Sequence, residues 1–247
     1  MAHRFAGRSA LITGSTNGIG KATAIAMAAE GAHVIVTGRD AERGKSVVSE
    51  ITDAGGRADF VAVDLAGGQA AVDTLVDQAN ALTGGRVDVL VNNAAVKSSS
   101  PEAEKDIDTM LAVNVKAHYL LTNALAPAMA ERGGGAVIYL GSIAAKIGLP
   151  QSVIYTATTV MKHALARSAA AQYGPSGVRV NIVAPGAVAN EDVLPYLDQI
   201  EATLVDKPSK RATTPQEVAA AIMFLVSDDA ANIHGAELFV DGGHTAV

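Results

Sequence analysis

Ser142 and Tyr155 are the two residues of this chain whose types and spacing most clearly suit chemistry. The serine precedes the tyrosine by thirteen residues, the tyrosine begins a helix-forming run, and both follow a glycine-rich turn of the kind that binds nucleotides. A serine and a tyrosine placed in this way indicate a site for carbonyl chemistry.

Thr159 stands four residues after Tyr155, at the position where such a site is expected to hold a lysine. A free tyrosine has a pKa of about 10, and a nearby positive charge stabilises its phenolate. Threonine can form a hydrogen bond but supplies no charge. Because general acid–base assistance is worth about 10² to 10⁴ in rate, we expect Tyr155 without a cation to be slow at neutral pH. A reaction in which Tyr155 must accept a proton should suffer more than one in which it donates a proton, since the proton-donating form of tyrosine is already present.

Lys162 is the nearest candidate for a replacement cation. Seven residues after Tyr155, it lies within roughly 20° of the same helix face but about 10 Å further along the axis. A long side chain reaching back could come closer to Tyr155, but we expect Lys162 to be a charge at the helix surface or in a subunit contact. His118 and His163 are placed less well, and we expect each to be a structural or interface histidine.

Short apolar strands alternate with helical patterns along the chain, which predicts βα units and a parallel sheet. Hydrophobic residues make up 49% of the chain and aromatic residues only 4%, as expected for buried parallel strands packed by aliphatic side chains. We predict an α/β fold: a single Rossmann-type three-layer α/β/α domain over residues 1–247, with a doubly wound, mostly parallel sheet of about seven strands. The predicted strands are 9–13, 33–37, 60–63, 87–91, 135–140, 178–183 and 237–240, and the predicted helices are 21–30, 42–54, 70–82, 106–132, 155–172 and 214–227.

The segment that joins the first strand to the first helix holds glycines at positions 14, 18 and 20. Glycine lets the backbone turn tightly and approach a pyrophosphate, while the free N–H groups and positive dipole end of the following helix favour an anion. The spacing differs from the common dinucleotide fingerprint. By itself, the turn is equally consistent with simple packing of strand against helix.

The end of the second strand bears on the choice of cofactor. In a dinucleotide site this position faces the adenosine ribose, where an acid binds the 2′-hydroxyl and an arginine accepts a 2′-phosphate. Gly38 supplies no acid, so Arg39 favours NADP, whereas Asp40, about twenty residues past the glycines, is the competing indication of NAD. We predict NADP and leave NAD open.

Polar residues also stand where ligands of such sheets bind, or where burial demands a partner. Asp64 and Asn92 follow predicted strands at their carboxyl ends, although each could instead be a turn or helix cap. Asn114 lies among apolar neighbours inside the long predicted helix, so its amide belongs either to a structural bridge or to a polar site. Residues 190–211 are less hydrophobic and contain prolines, which predicts a substrate lid.

Charge and composition argue against several classes of protein. The formal net charge is −6 without a stripe of basic residues, which argues against nucleic-acid binding. The lack of cysteine excludes disulfides, thiolate nucleophiles and zinc sites built from cysteine, and we identify no metal site. No apolar run approaches the ~20 residues that span a bilayer, and the first residues lack the apolar core of a signal peptide. We therefore expect a cytoplasmic protein without membrane or nucleic-acid partners.

Together these motifs resemble the short-chain dehydrogenase/reductase family over essentially the full length of the chain. The ordered set that carries the resemblance is Thr13-Gly14-x-x-x-Gly18-Ile19-Gly20, Asp64, Asn92-Asn93-Ala94-Ala95, Asn114, Ser142, Tyr155, Asn181, Pro185-Gly186 and Val240-Asp241-Gly242-Gly243. Such a set is far more specific than any of its members. The resemblance implies an NAD(P)-dependent oxidoreductase that transfers a hydride between NADP(H) and a small carbonyl or secondary alcohol substrate.

The resemblance also implies roles for individual residues. Tyr155 would give a proton to the carbonyl oxygen as hydride arrives from the nicotinamide, and Ser142 would hydrogen-bond that oxygen. Asn114 would hold a water in a proton relay whose other anchor is the lysine that Thr159 replaces. The residues implied to bind the cofactor are Gly14, Ser15, Thr16, Asn17, Gly18, Ile19 and Gly20 at the phosphates, Asp64 and Leu65 at the adenine, Asn92, Ala94 and Tyr155 towards the nicotinamide ribose, and Pro185, Gly186 and Val188 around the nicotinamide.

Finally, the resemblance implies a homotetramer in which helices 106–132 and 155–172 pack against their copies. Besides Thr159, two positions depart from the family pattern: Ala95 replaces a glycine, and Asn190 replaces a threonine that touches the cofactor amide. Other interpretations stay open. The chain could be a non-catalytic dinucleotide-binding relative that acts in binding or assembly, an active enzyme in which Thr159 is an introduced change, or, more remotely, a methyltransferase on a similar fold.

Overall fold

The computed structural model describes residues 3–97, 104–150 and 152–247, and strands alternate with helices throughout. The strands are β1 Ser9–Ile12, β2 His33–Gly38, β3 Arg57–Ala62, β4 Val89–Asn92, β5 Gly135–Leu140, β6 Val178–Pro185 and β7 Glu237–Val240. The helices are α1 Gly18–Ala29, α2 Ala41–Asp53, α3 Gln69–Thr83, α4 Glu104–Leu111, α5 His118–Glu131, α6 Val153–Tyr173, α7 Leu197–Ala202 and α8 Pro215–Val226.

All seven strands join one parallel sheet in the order β3-β2-β1-β4-β5-β6-β7. The strand order reverses between β1 and β4, which opens a crevice at their carboxyl ends. Open sheets of this kind bind their ligands in that crevice. The predicted Rossmann-type α/β fold with a parallel sheet of about seven strands is confirmed.

Alternate residues of each strand enter two separate hydrophobic layers. On one face, Ile12 and Val91 pack under α1, α2 and α8, while on the other face Leu11 and Leu90 pack under α3, α5 and α6. Because helices cover both faces, the strands are apolar on both sides and read as continuous apolar runs. Only the strand ends and the loops that follow them are left to build a site.

Some element boundaries differ from the prediction, and the start of α1 matters for function. The helix begins at Gly18, whereas the periodicity predicts a start at residue 21. The glycines at 18 and 20 therefore belong to the first helical turn, whose backbone N–H groups have no partner within the helix. Elsewhere, β3 begins at Arg57 and not at residue 60, because it pairs with β2 along its whole length.

The predicted helix 106–132 is interrupted near its middle. α4 and α5 are joined by a π-helical segment, Ala112–Ala117, and Pro127 lies within α5. π-helical turns are rare and occur frequently at functional sites. Asn114 lies inside this segment and is fully buried.

A capping box starts α8, as the Thr-Pro-Gln-Glu sequence predicts. The Thr214 hydroxyl accepts a hydrogen bond from the Glu217 N–H at 3.2 Å, and the Glu217 carboxylate accepts one from the Thr214 N–H at 2.8 Å. α8 packs on α1, the helix that follows the glycine turn. In the part of the chain that the structure describes, no helix combines the length and apolar character needed to cross a bilayer.

Candidate active site

A cleft of about 970 Å³ opens at the crevice between β1 and β4. This volume lies at the upper end of the range for ligand pockets, about 300 to 1,000 Å³, and suits an extended ligand. Its walls include many of the residues predicted to bind a cofactor, namely Gly14, Thr16, Asn17, Gly18, Ile19, Gly20, Arg39, Asp64, Leu65 and Ala94.

The glycines on the floor of the cleft leave no room for a side chain. A Cβ at Gly20 would lie 2.4 Å from the carbonyl oxygen of Gly14, and one at Gly38 would lie 2.6 Å from Cγ2 of Thr16. Asn17 caps α1 without a side-chain hydrogen bond, so the first-turn N–H groups keep their capacity to bind an anion. These residues fit the pyrophosphate of a dinucleotide.

At the β2 end of the cleft, Asp40 is already engaged by its own helix. Its Oδ1 accepts hydrogen bonds from the N–H groups of Glu42 and Arg43, both at 3.1 Å, and its Oδ2 lies 3.5 Å from Nε of Arg43. Arg39 is exposed, lines the cleft, and has no ion pair with any acid that the structure describes. This end of the cleft therefore offers two guanidinium groups and a carboxylate committed to capping.

Asn93 is a cleft residue that the sequence reasoning did not single out. Its Nδ2 donates to the carbonyl oxygens of Thr13 at 2.7 Å and Gly14 at 3.0 Å. The N–H groups of Asn93 and Ala94 both donate to the Thr13 hydroxyl, at 2.9 and 3.0 Å. These bonds tie the turn after β4 to the glycine turn after β1. The available signal was a second asparagine directly after a buried strand.

Several predicted cofactor residues, all within the described chain, do not line the cleft: Ser15, Asn92, Tyr155, Pro185, Gly186 and Val188. Ser15 and Asn92 are fully buried. The Ser15 hydroxyl donates to a main-chain carbonyl of β1 at 2.7 Å, and the Asn92 amide donates to Oγ1 of Thr122 at 3.1 Å. Both side chains make hydrogen bonds within the protein, and the implied contacts of these two residues with the cofactor stay predictions. Val188 packs against the hydrophobic layer under α1 and α8.

Ser142 and Tyr155 are brought together beside the end of the cleft that Leu140 lines. Tyr155 is 7% exposed and packs against Ala144. The Ser142 Oγ follows β5 and accepts a hydrogen bond from the Ala144 N–H at 3.2 Å. This bond uses a lone pair of Ser142, and the hydroxyl also lies within hydrogen-bonding reach of the Tyr155 phenol.

Asn114 acts as a structural bridge, one of its two predicted uses. Its Oδ1 accepts from the Val96 N–H at 2.8 Å, and its Nδ2 donates to the Val96 carbonyl at 2.9 Å and to Oγ1 of Thr158 at 3.2 Å. The amide thereby connects the loop after β4 to α6 through the π-helical segment. Its implied role in holding a water stays a prediction.

Thr159 is fully buried and turned towards its own helix. Its hydroxyl donates to the Tyr155 carbonyl at 2.8 Å. Burial raises the pKa of Tyr155, but the positive charges of Lys97 and Lys162, with smaller contributions from Ser142 and Thr159, outweigh burial and hold that pKa below its ordinary value. Although residue 159 is a neutral threonine, the positive charges of two lysines therefore act on the phenol of Tyr155.

The expectation that Lys162 lies at the helix surface is wrong. Its side chain is 1% exposed, and its Nζ donates to the Leu140 carbonyl at 2.8 Å. Helical side chains lean towards the N-terminus of their helix, so this long side chain runs back towards Tyr155. Burial lowers the pKa of Lys162, while Tyr155 opposes that shift and Lys97 adds to it.

Both nearby histidines make structural contacts. The His118 Nε2 donates to the Ala94 carbonyl at 2.9 Å, and its ring meets that of Tyr139 edge to face. Burial, with a smaller contribution from Lys162, lowers the pKa of His118 to about 3, so it is neutral at pH 7. The His163 Nδ1 lies 3.2 Å from a carboxylate oxygen of Glu237 on β7.

Comparison with known proteins agrees with this geometry. A family model described as enoyl-(acyl carrier protein) reductase matches residues 14–245. D-threitol dehydrogenase of Mycolicibacterium smegmatis is 37% identical over 98% of this chain and 94% of its own length. L-sorbose reductase from Gluconobacter frateurii, solved with NADPH and L-sorbose, matches with a TM-score of 0.93 at 30% identity, covering 100% of both chains.

A third similar protein binds the other nicotinamide cofactor. 7α-hydroxysteroid dehydrogenase, solved with NADH and 7-oxo glycochenodeoxycholic acid, matches with a TM-score of 0.92 at 33% identity, covering 98% of this chain and 96% of that chain. Similar proteins of known activity are thus dehydrogenases and reductases that act on alcohol or carbonyl groups. The chain belongs to the short-chain dehydrogenase/reductase family and is an NAD(P)-dependent oxidoreductase.

Proposed function

We propose that this protein transfers a hydride between NADP(H) and the carbonyl or secondary alcohol group of a small molecule. The observation that carries the proposal is the position of Ser142 and Tyr155 together beside the end of a cleft whose glycine floor fits a dinucleotide. Nothing in the geometry or among the relatives favours a non-catalytic binding protein.

The chain's own residues supply the proton chemistry. A bound nicotinamide supplies the hydride in reduction and accepts it in oxidation. In reduction, the Tyr155 hydroxyl gives its proton to the substrate oxygen and becomes a phenolate, which solvent later reprotonates. Ser142 donates a hydrogen bond to the same oxygen and so stabilises the negative charge that develops there. In oxidation, the phenolate takes the proton of the alcohol.

The charges at the β2 end of the cleft support NADP over NAD. Asp40 caps α2 and pairs with Arg43, so it is a poor acceptor for a ribose 2′-hydroxyl. Arg39 and Arg43 present planar, multiple donors, which suit a 2′-phosphate.

Residues 190–211 are the proposed substrate lid. Asn190, Asp192 and Val193 line the cleft, while Leu194 and Tyr196 are more than half exposed next to them. Exposed apolar side chains at the mouth of a cleft suit closure over a ligand. The lid belongs to the same single domain as the sheet in this proposal.

A homotetramer is also proposed, on the apolar surface of the α5 and α6 region. Tyr119, Val153, Val160 and Met161 are each more than two-fifths exposed in the single chain. Exposed apolar side chains concentrated in this way mark association surfaces. Light scattering coupled to size exclusion should give the mass of four chains, and the mass of one chain would contradict the proposal.

Turnover tests the proposed reaction directly. The protein is assayed with NADP⁺ and D-threitol or cyclopentanol, and with NADPH and L-sorbose, compounds named for similar enzymes. Tyr155→Phe should lower kcat by about 10² to 10⁴ because it removes the proton donor. Binding of NADPH, followed by its fluorescence, should stay within a few fold. A wild-type protein that binds NADPH but turns over no compound of a broad alcohol and ketone panel would contradict the function.

The cofactor choice has a separate test with a matched control. Arg39→Asp should lower the ratio of kcat/KM for NADP over NAD by about 10-fold to 100-fold, the value of one charged hydrogen bond. Arg57→Asp makes the same charge change on an exposed residue at the first position of β3. That position is at the amino-terminal end of the strands, whereas the cleft lies at their carboxyl ends, so the ratio should stay unchanged. An unchanged ratio in Arg39→Asp would remove this arginine from the site.

A further inference from the structure

We propose that Lys162 is the positioning residue that supplies Tyr155 with its cation, reaching the phenol from about two helical turns away. The proposal rests on the proposed oxidoreductase function. It is carried by the burial of Lys162, by its attachment to the end of β5, and by the neutral Thr159 between the two residues.

The burial of Lys162 has no structural explanation of its own. It is the only lysine or arginine among the buried residues that the structure describes. A buried ammonium group lowers the free energy of unfolding unless a carboxylate pairs with it, and no described carboxylate does so here. The ionisable groups that interact with it are Tyr155, Lys97, His118 and His163, and of these only Tyr155 can carry a negative charge. A charge kept at a cost to stability, next to a proton donor, indicates a functional role.

The hydrogen bond of Lys162 holds its charge at the carboxyl end of the sheet, beside the cleft. Its Nζ donates to the carbonyl of Leu140, which lines the cleft and precedes Ser142 by two residues. The lysine side chain spans the distance along α6 because it leans towards the N-terminus. Thr159 lies between Tyr155 and Lys162 on nearly the same helix face, and its hydroxyl donates to the Tyr155 carbonyl. The small residue at 159 thus brings no competing charge.

Lys97 is the competing cation. Its Nζ lies 5.4 Å from the centroid of the Tyr155 ring, and its charge lowers the pKa of Tyr155 more than that of Lys162 does. Lys97 is exposed, however, so water and salt screen its charge. Lys162 is shielded from both, and its effect persists at high ionic strength. The two contributions can therefore be separated by salt.

The other titratable groups around the pair are histidines. His118 on α5 faces Lys162 and is neutral at pH 7, because burial holds its pKa near 3. Burial likewise lowers the pKa of His163 on α6, although Glu237 on β7 opposes that shift. Neither histidine offers a lasting positive charge at neutral pH, which leaves Lys162 as the shielded cation.

Lys162 acts through Tyr155 and exchanges no proton itself. When Tyr155 gives its proton to the substrate oxygen, the new phenolate faces the ammonium of Lys162. No bond on the ammonium group forms or breaks. The charge also increases the fraction of phenolate in the resting protein. Oxidation, which begins from the phenolate, depends on Lys162 more than reduction does.

Titration of Tyr155 tests the proposal without any substrate. The chain has five tyrosines and no tryptophan, so ultraviolet difference absorption reports tyrosine ionisation cleanly, and Tyr155→Phe identifies the contribution of this residue. Lys162→Met should raise the pH of Tyr155 ionisation by about one unit, which means about tenfold less phenolate at a given pH. The limb of the pH profile on which kcat/KM for oxidation rises with pH reports the phenolate of Tyr155, and it should move to higher pH with the titration. The double variant Thr159→Lys with Lys162→Met should restore both.

The outcomes separate the alternatives. The shift caused by Lys97→Met should disappear in high salt, while the shift caused by Lys162→Met should remain. Lys45→Met, a change of the same kind on the exposed face of α2, should move neither. The proposal is overturned if Tyr155 titrates at the same pH in Lys162→Met as in the wild type, including the case in which that variant is only less stable. If Lys162→Met does not fold, Lys162→Gln and the double variant give the same decision. If the wild type shows no turnover, the proposed function is wrong, but the titration of Tyr155 still decides the role of Lys162.

Discussion

His118 should make this protein less stable as the pH falls below about 6.5. The ring is fully buried, donates through Nε2 to Ala94, and has a pKa of about 3 in the folded chain. In the unfolded chain a histidine titrates near 6.5. Since the unfolded state binds the proton more readily, acid favours unfolding. The contribution of neutral His118 is fully present above pH 6.5 and is lost as the pH falls towards 3.

The size of the effect follows from these two pKa values. At pH 5 the imidazole is mostly protonated in the unfolded chain and almost wholly neutral in the folded chain. One pKa unit corresponds to about 1.4 kcal/mol, so lowering the pH from 7.5 to 5 should lower the free energy of unfolding by about 2 kcal/mol through His118 alone. At pH 4 the loss from this residue should reach about 3 kcal/mol.

Urea unfolding of the cofactor-free protein at pH 7.5 and pH 5, at one protein concentration, measures this loss. His118→Gln does not titrate, and its amide can still donate to the Ala94 carbonyl. The wild type should lose about 2 kcal/mol more than His118→Gln between the two pH values. His163, whose pKa is also lowered by burial, is present in both proteins and cancels in the comparison. Equal losses in the two proteins would refute the reasoning.

Further expectations concern stability and cofactor binding. Thr214→Ala should lower the free energy of unfolding by about 1 kcal/mol in urea because it removes the cap of α8, whereas Thr214→Ser should keep it. Gly20→Ala should weaken NADPH binding and lower Tm, because its Cβ would lie 2.4 Å from the Gly14 carbonyl oxygen. Gly134→Ala is the control, since the closest atom to a Cβ at Gly134 is 3.5 Å away. Equal NADPH affinities of the two variants would contradict the predicted clash. Lys162→Met should be at least as stable as the wild type in urea, since it removes a buried charge without an acidic partner; a clear loss of stability would mean that the charge is structurally compensated.

The sequence alone was enough for the fold and for the edge of the sheet at which the cleft opens. Alternating strand and helix patterns predict parallel βα units because they depend on local periodicity. The glycines after β1 predict the close main-chain packing that the structure has at Gly20. Arg39 and Asp40 after β2 were also recognisable as candidates for contact with the adenosine ribose. Their order in the chain did not indicate, however, that the Asp40 carboxylate caps α2.

Contacts between distant elements had to come from the tertiary structure. Asn92 and Asn93 are adjacent and alike, and only the packing of α5 and of the glycine turn decides that the first is buried while the second holds the cleft together. The sequence determined that Tyr155 lacks a cation at position 159. It also put Lys162 on nearly the same helix face, because that depends on helical periodicity alone. Whether this lysine is exposed to solvent or bonded to the end of β5 depends on where the sheet lies against α6. Only the tertiary structure therefore decides that its charge is buried and acts on the Tyr155 phenol.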